Sequence, residues 1–233
     1  MMRLLFAGVV TVIGGLLLSQ PLSAQSLNID LGVNTSIPGP PSSSFGGAAS
    51  QPGVWSRLGN GTTASLPGLT GAATAVSATV TSDDPTGGAA TCTGDIGLLL
   101  NDFVYSSTSW SVVLNGLANG TYTVYLYEPE DESVVTGAMT VNGTPVAGLT
   151  AHTCNLNAGE MYTTATASVT SGTLTITGSG STPWFGLAGI QLVTGQAQAQ
   201  AEVIPTASPG ALVLLATALG ALAIAKLRGW RRA

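Results

Sequence analysis

The chain has 233 residues, of which 45% are hydrophobic and only 7% are charged, and its formal net charge at pH 7 is −5. Between residues 25 and 193, a length that suits a single core, lie ten of the eleven acidic residues but only one of the six basic residues. Because nucleic-acid binding needs clustered Lys and Arg, this distribution excludes it as a function.

Residues 1–24 have the three parts of a secretory signal peptide. Arg3 supplies the positive start, Leu4–Leu18 is an uncharged apolar run, and small or apolar residues stand at the −3 and −1 positions of a cleavage site. This arrangement predicts cleavage before Gln25 and export of the rest of the chain. A retained signal anchor is the alternative, which the helix-breaking Pro21 disfavours.

Residues 25–193 are predicted to form many short β-strands, since they are rich in Gly, Thr, Ser, Ala and Val. Apolar and polar residues alternate most clearly in Thr121–Tyr127 and Thr173–Thr177. Asn-Gly pairs, which favour tight turns, begin at residues 60, 115, 119 and 142. About ten strands at this spacing indicate an all-β domain, an antiparallel sandwich or jelly roll. The predicted strands are Leu27–Leu31, Val54–Leu58, Ala75–Thr81, Gly97–Phe103, Ser109–Leu114, Tyr122–Tyr127, Val134–Val141, Met161–Val169, Thr173–Thr177 and Leu187–Val193.

The segment Ser109–Tyr127 resembles the central hairpin of galactose-binding-like jelly rolls, which often read Leu-x-x-Gly-Thr-Tyr before an alternating strand. The segments Leu27–Gly32 and Gly186–Val193 resemble the strands that begin and end such a domain. The resemblance implies a jelly-roll fold. Many members of this group bind sugars, while others are accessory modules or have no known ligand.

Cys92 and Cys154 are the only cysteines in the chain. An exported chain meets an oxidising compartment, where two cysteines allow one intramolecular bridge. We therefore predict a Cys92–Cys154 disulfide. Two separate buried thiols are the alternative.

Four carboxylates lie within five residues directly after a predicted strand. Calcium prefers oxygen ligands, so a calcium site is one interpretation of this turn, but a solvated hairpin tip fits better because the spacing is not that of an EF-hand loop. Asp83 and Asp84 offer a similar but smaller group. The single histidine, His152, lacks the partners that a zinc site requires, so no metal is assigned. The four carboxylates belong to Glu128, Glu130, Asp131 and Glu132.

No catalytic group of residues emerges from the sequence, and we expect no enzymatic activity. A nucleophile elbow is missing, and Asp95, Asp102 and Glu160 have no spacing that pairs them across a cleft for glycoside hydrolysis. Sugar binding, in contrast, needs an aromatic ring face with amides or carboxylates beside it. Trp184, in a Gly/Ser-rich loop, is the better candidate for a glycan contact and Trp55 is the second. Capping one end of the sandwich is the alternative role of Trp184, and alternation predicts that Trp110 belongs to the core.

Residues 194–202 are rich in Gln and Ala and have no apolar face, which predicts a linker. The tail, residues 203–233, carries the apolar run Gly210–Ala225, which predicts a transmembrane helix of about 24 Å. A buried core helix is the alternative. The basic residues that follow stop translocation and place the C-terminus in the cytoplasm. They are Lys226, Arg228, Arg231 and Arg232.

The start of the tail carries a short proline motif, formed by Ile204, Pro205, Thr206 and Pro209. The motif, the apolar helix and the terminal Arg cluster together resemble the C-terminal sorting tails of the PEP-CTERM kind. The usual motif reads Pro-Glu-Pro, and this chain is closer to the variant that begins Ile-Pro-Thr. The resemblance implies processing by a membrane protease of the exosortase type in a Gram-negative bacterium.

These features together predict a non-catalytic exported protein. It is expected to be anchored in the inner membrane facing the periplasm, and to reach the cell surface or the medium after processing of the tail. We expect association with extracellular polysaccharide or the envelope matrix, with glycan binding as the leading interpretation. A ligand-free structural or adhesive matrix protein is the main alternative, and an extracellular glycan hydrolase is the second.

Overall fold

The computed structural model describes residues 25–88, 91–129, 137–149, 153–180 and 185–195. The predicted signal peptide, the tail and nearly all of the linker lie outside the described residues. In the described part, no helix is long and apolar enough to cross a membrane. The chain divides into two units, Met1–Val193 and Thr194–Ala233, and the fold described below belongs to the first.

The described residues are mostly β-strand, as the alternating sequence predicts. The only helix among them is α1 (Gly94–Leu100), which lies between two strands. In chain order the strands are β1 (Leu27–Leu31), β2 (Trp55–Leu58), β3 (Gly61–Thr63), β4 (Ser77–Thr81), β5 (Asp84–Gly88), β6 (Asp102–Ser106), β7 (Ser109–Asn115), β8 (Gly120–Tyr127), β9 (Ala138–Val141), β10 (Thr144–Val146), β11 (Tyr162–Val169), β12 (Thr173–Ser179), β13 (Phe185–Leu187) and β14 (Gly189–Thr194).

Two large sheets and one small sheet organise these strands. The five-stranded sheet has the order β11-β8-β14-β1-β2, and the six-stranded sheet has the order β10-β9-β12-β7-β4-β3. The small sheet has the order β13-β6-β5. Strand β1 pairs antiparallel with β14 and parallel with β2, so the first and last strands are neighbours within one sheet.

The main core lies between the two large sheets, which confirms the predicted all-β sandwich. Alternation along β7 buries Trp110, Val112 and Leu114, and these residues pack in one cluster with Leu27 and Ile29 of the other sheet. Burial of a large apolar side chain contributes about 1.5–3 kcal/mol. The polar residues between them face away from this core, as a period of two requires.

The predicted strand Gly97–Phe103 is wrong, because its first part is helix α1 and its last part begins β6. A short apolar run such as Leu98–Leu100 fits either structure by its pattern, and here Leu99 and Leu100 bury one side of the helix. The helix begins after Thr93, and Asp95 in its first turn complements the helix dipole.

The segment Ser109–Tyr127 is not a hairpin, which corrects the expectation drawn from its resemblance. Strands β7 and β8 belong to different sheets, and residues 116–119 cross from one sheet to the other. Gly116 has φ +81°, and an added Cβ there would collide with the carbonyl of Ala75. The pair Asn142-Gly143 does form the expected tight hairpin turn, with φ values of 49° and 76°, between β9 and β10.

The predicted disulfide between Cys92 and Cys154 is confirmed, with the two Cα atoms 5.4 Å apart. It joins the segment before α1 to the segment before β11 and closes a sequence separation of 62 residues. In the loop-entropy model such a bridge stabilises the fold by about 4 kcal/mol.

Candidate functional site

The outer face of the five-stranded sheet carries a second apolar cluster. Trp55 and Tyr127 project from β2 and β8 on the side away from the main core, where Leu99 and Leu100 of α1 pack in the same cluster. Phe45, from the segment between β1 and β2, packs against it as well. One part of this face is therefore covered by the chain itself, and the rest is open.

The covering segment is fixed by a buried amide network. The Asn28 side-chain oxygen accepts hydrogen bonds from Gln51 at 2.9 Å and from Gln191 at 2.8 Å. The Tyr127 hydroxyl accepts from the backbone N–H of Ala48 at 2.7 Å and donates to Gln191. Burial raises the pKa of Tyr127, which keeps this hydroxyl a donor. These bonds hold the segment rigidly against the sheet.

Glycine is required where this segment comes closest to the sheet. Gly47 has φ +56°, and an added Cβ would collide with the Gln191 side chain. The absence of a side chain lets the backbone approach the amide network directly.

Five aromatic rings form a continuous row across this face. The ring centroids are 5.7 Å apart for Phe45 and Trp55, 6.4 Å for Trp55 and Tyr127, and 6.0 Å for Tyr127 and Tyr162. Tyr125 ends the row, 5.7 Å from Tyr162. These spacings are typical of favourable aromatic pairs.

The two rings at the β8–β11 end of the row are half-buried, while Trp55 and Tyr127 are buried. We call Tyr125 and Tyr162 the tyrosine platform. Their rings are tilted by 38° and lie on adjacent strands, where Tyr125 is opposite Thr164 and Tyr162 is opposite Tyr127. The platform is thus a pair of partly open ring surfaces fixed on a rigid sheet.

A polar turn leads into the platform strand β11. The Glu160 carboxylate accepts a hydrogen bond from the Asn157 side chain at 3.0 Å and one from the Thr153 hydroxyl at 3.3 Å. Thr164 is exposed two residues beyond Tyr162. Oriented carboxylate, amide and hydroxyl groups near an aromatic surface are the donors and acceptors that sugar hydroxyls need.

A charged cluster lies between the five-stranded sheet and β6 of the small sheet, and it holds these elements together. Arg57 is bonded to the fully buried Asp102 carboxylate and donates to the carbonyls of Gly32 at 3.1 Å, Ile37 at 3.2 Å and Asn34 at 2.8 Å. Burial raises the pKa of Asp102, although the Arg57 guanidinium opposes the rise.

Asp30, on β1 beside this pair, is also fully buried. Its two carboxyl oxygens have no hydrogen-bond partner among the described residues. Burial, with the nearby charge of Asp102 as a second cause, raises the pKa of Asp30 well above its ordinary value of 3.8. The cluster therefore combines one guanidinium group with two buried carboxyl groups. The Arg57 guanidinium is occupied by its bonds within the protein.

The predicted glycan contacts have different positions. Trp55 is 3% exposed, its indole N–H donates to the Phe45 carbonyl at 3.1 Å, and Phe45 and Tyr127 pack against its ring. Trp55 thus serves packing rather than ligand contact. Trp184 lies outside the described residues. The one sequence signal for the tyrosine platform is the alternation in Thr121–Tyr127, because nothing in the sequence pairs Tyr125 with Tyr162.

The predicted calcium turn is only partly described. Glu128 is 1% exposed, which is unlike a ligand at a solvated hairpin tip, while Glu130, Asp131 and Glu132 lie outside the described residues, as does His152. Asp83 accepts hydrogen bonds from the backbone N–H of Ser107 and from the Ser106 and Ser107 hydroxyls, which lower the pKa of Asp83. Among the described residues no three acidic, His or Cys side chains are grouped to hold a metal ion.

The three acids considered for hydrolysis belong to separate networks. Asp95 accepts from the backbone N–H of Ser42 at 2.7 Å and from its hydroxyl at 2.8 Å. Asp102 is bonded to Arg57, and Glu160 belongs to the turn before β11. Each of these carboxylates is thus engaged in holding a different segment.

Comparison with known proteins finds no matching family model and no matching curated protein. Among solved structures, a calcium-binding mutant of Bacteroides uniformis beta-glucuronidase 2 is 16% identical, with a TM-score of 0.43, over 74% of this chain and 18% of that chain. The CBM35 module from Cellvibrio japonicus Abf62 is 18% identical, with a TM-score of 0.28, over 51% of this chain and 94% of that chain. The chain thus spans less than a fifth of the glucuronidase, and these distant likenesses carry no argument about function.

Proposed function

We propose that this chain is an exported, non-catalytic glycan-binding protein that associates with extracellular polysaccharide through its tyrosine platform. The observation that carries the proposal is the pair of half-open rings of Tyr125 and Tyr162, side by side on rigid strands with centroids 5.7 Å apart. The axial C–H groups of a pyranose pack on such ring faces, and its hydroxyls require polar partners at the edge.

The charge of the domain favours a neutral glycan. Arg57 is the only basic residue between positions 25 and 193, and it is engaged with Asp102 and three backbone carbonyls. A polyanionic polysaccharide would face acidic side chains with no free cation in this region to pair with. Neutral chains avoid that repulsion.

Export and attachment form the second part of the proposal. The Cys92–Cys154 disulfide supports an oxidising compartment, in agreement with the predicted signal peptide. The exported domain has the proposed jelly-roll fold. The proposed transmembrane tail anchors it in the inner membrane, and exosortase-type processing of this tail passes it on to the cell surface or the medium. Fractionation and mass spectrometry of the mature chain test this part, and an intact tail ending at Ala233 contradicts processing.

Binding is tested on a glycan array and by pull-down with insoluble polysaccharides, using the full chain in mild detergent. Tyr162→Ala is expected to weaken binding about tenfold, because loss of a central aromatic contact costs about 1–2 kcal/mol. Tyr162→Phe keeps the ring and should retain most of the affinity. Tyr105→Ala removes another half-buried tyrosine, on β6 of the small sheet, and is the matched control.

The outcomes separate the candidate functions. Equal loss of binding in Tyr162→Ala and Tyr105→Ala would indicate misfolding, which the thermal unfolding of each variant reveals. Binding that is lost in Trp184→Ala but retained in Tyr162→Ala would instead place the site in the loop before β13. No binding of the wild-type chain to any glycan would favour a ligand-free matrix protein.

A further inference from the structure

Gln25 lies at one end of the main core, next to a fully buried tyrosine. It stands two residues before Leu27, the first residue of β1, whose side chain enters the core. Burial raises the pKa of Tyr122 on β8, and a hydrogen bond from the backbone N–H of Gln25 to the Tyr122 hydroxyl opposes this rise. The Tyr122 hydroxyl itself donates to the Ala118 carbonyl at 2.8 Å. The backbone nitrogen of Gln25 is thus held against the end of the core.

The side-chain amide of Gln25 is not bonded through its oxygen. Gln25 is half-buried, and its Oε1 atom is buried without a hydrogen-bond partner among the described residues. A buried amide oxygen without a partner is unfavourable, since it has lost water and gained nothing in exchange. The side chain can therefore fold back onto the backbone nitrogen of Gln25 without breaking a hydrogen bond of Oε1.

Cleavage of the predicted signal peptide before Gln25 changes the chemistry of this nitrogen. It becomes the α-amino group of the mature chain, whose ordinary pKa of about 7.7–8.0 makes most of it a charged ammonium at pH 7. The ammonium has three N–H groups, of which the bond to the Tyr122 hydroxyl serves one. Burial penalises the charged form relative to the neutral amine, and the neutral amine is the nucleophilic form.

We infer that Gln25 is a modification site, at which the mature chain closes its N-terminus into a pyroglutamate ring. This inference rests on the proposed function, because it needs export and cleavage before Gln25. The α-amino nitrogen attacks the side-chain carbon Cδ, so a bond between them forms and the bond from Cδ to Nε2 breaks. Nε2 leaves as ammonia with one proton from the attacking nitrogen, and no oxidant, reductant or second substrate is required. The lactam that results is neutral and keeps one N–H, which suits the apolar end of the core better than an ammonium group does.

The ring also removes the one primary amine of the exported domain. Lys226 is the only lysine in the chain and lies in the predicted tail, so residues 25–193 contain no lysine. After processing of the tail, the α-amino group of Gln25 is the single primary amine of this domain. Reducing ends of polysaccharides are masked aldehydes, which condense with primary amines. A pyroglutamate N-terminus therefore leaves the domain without an amine that sugar aldehydes or aminopeptidases attack.

Mass spectrometry of the full chain, exported by a Gram-negative host and digested with trypsin, tests the inference. Arg57 is the first basic residue after Arg3, so trypsin releases the mature N-terminus as one peptide, residues 25–57. We expect this peptide to be lighter than the encoded sequence by one ammonia. An amine-reactive reagent should label Lys226, where the tail is retained, but not the N-terminus.

Two controls and one enzyme probe complete the experiment. Gln25→Ala cannot cyclise, so its N-terminus should keep a free amine and take the label. A synthetic peptide of residues 25–57, carried through the same steps, measures the cyclisation that handling alone causes. Pyroglutamyl aminopeptidase should remove the ring from the released tryptic peptide but not from the folded chain, in which the ring packs against Tyr122.

The outcomes separate failure of this inference from failure of the proposed export. A mature peptide that begins with an open Gln25 and a labelled amine overturns the inference while export stands. A synthetic peptide that cyclises as far as the protein does also overturns it, because handling then explains the ring. Rapid removal of the ring from the folded chain overturns its packing against the core. A mature chain that begins at another residue overturns the inference alone, and one that begins at Met1 overturns the proposed cleavage as well.

Discussion

Replacing Arg57 by methionine tests how far one buried ion pair maintains this domain. Methionine keeps much of the length and apolar volume of the arginine stem but removes its guanidinium. That group is bonded to Asp102 and donates to three carbonyls in residues 32–37, at distances from 2.8 to 3.2 Å. The variant therefore leaves a buried carboxyl group and a loop without their common partner.

The expected loss follows from the burial of the two partners. Asp102 is fully buried, whereas the Arg57 side chain is 22% exposed. Removing one member of a buried pair costs about 3–5 kcal/mol, because the remaining charge is left without compensation. For a domain of this size, that corresponds to a decrease of about 6–20 °C in the midpoint of thermal unfolding.

Urea unfolding at pH 7, followed by the fluorescence of the buried tryptophans, measures the free energy of unfolding of Arg57→Met. The double variant Arg57→Met/Asp102→Asn removes both charges and should recover a large part of the loss. The loss should also shrink in acid, where protonation of Asp102 removes its charge. A loss below about 1 kcal/mol, or a double variant as unstable as the single one, would refute the reasoning, since surface ion pairs contribute at most that much.

Three further predictions concern stability. Asp30→Asn should flatten the pH dependence of the free energy of unfolding. The raised pKa of Asp30 means that the folded state retains a proton that the unfolded chain releases above about pH 4. Wild-type stability therefore falls as pH rises toward the folded-state pKa, and urea titrations from pH 4 to 9 measure this fall. Cys92→Ser/Cys154→Ser should lose about 4 kcal/mol, and an unchanged urea midpoint under reducing conditions would contradict it. Gly178→Ala should cost about 1–3 kcal/mol by collision with Trp110, and a thermal midpoint equal to wild type would show that the indole moves freely.

The strands that alternate strongly could be predicted from sequence, and those that do not could not. β1 was predicted with its observed bounds and β7 to within one residue, because each has an alternating or continuous apolar pattern between polar turns. The short strands β3 and β10 were missed, since three residues carry too little pattern. Helix α1 was mistaken for a strand because its apolar run, Leu98–Leu100, is too short for its pattern to distinguish a helix from a strand.

The candidate site was harder to predict because it arises from pairing between distant segments. Tyr125 and Tyr162 are 37 positions apart, and only the register of β8 with β11 brings their rings together. Trp55 was considered a contact because of its residue type, but its burial under Phe45 depends on a segment that has no periodic pattern.

The pairing of β1 with β14 has a consequence for when folding occurs. Leu27 lies opposite Leu192, so β1, a central strand of the five-stranded sheet, has both of its neighbours only after β14 has been added. Contacts between such distant positions form slowly. On the proposed export route, the five-stranded sheet would close only after β14 has left the translocation channel, so that sheet closure would be the final step on the far side.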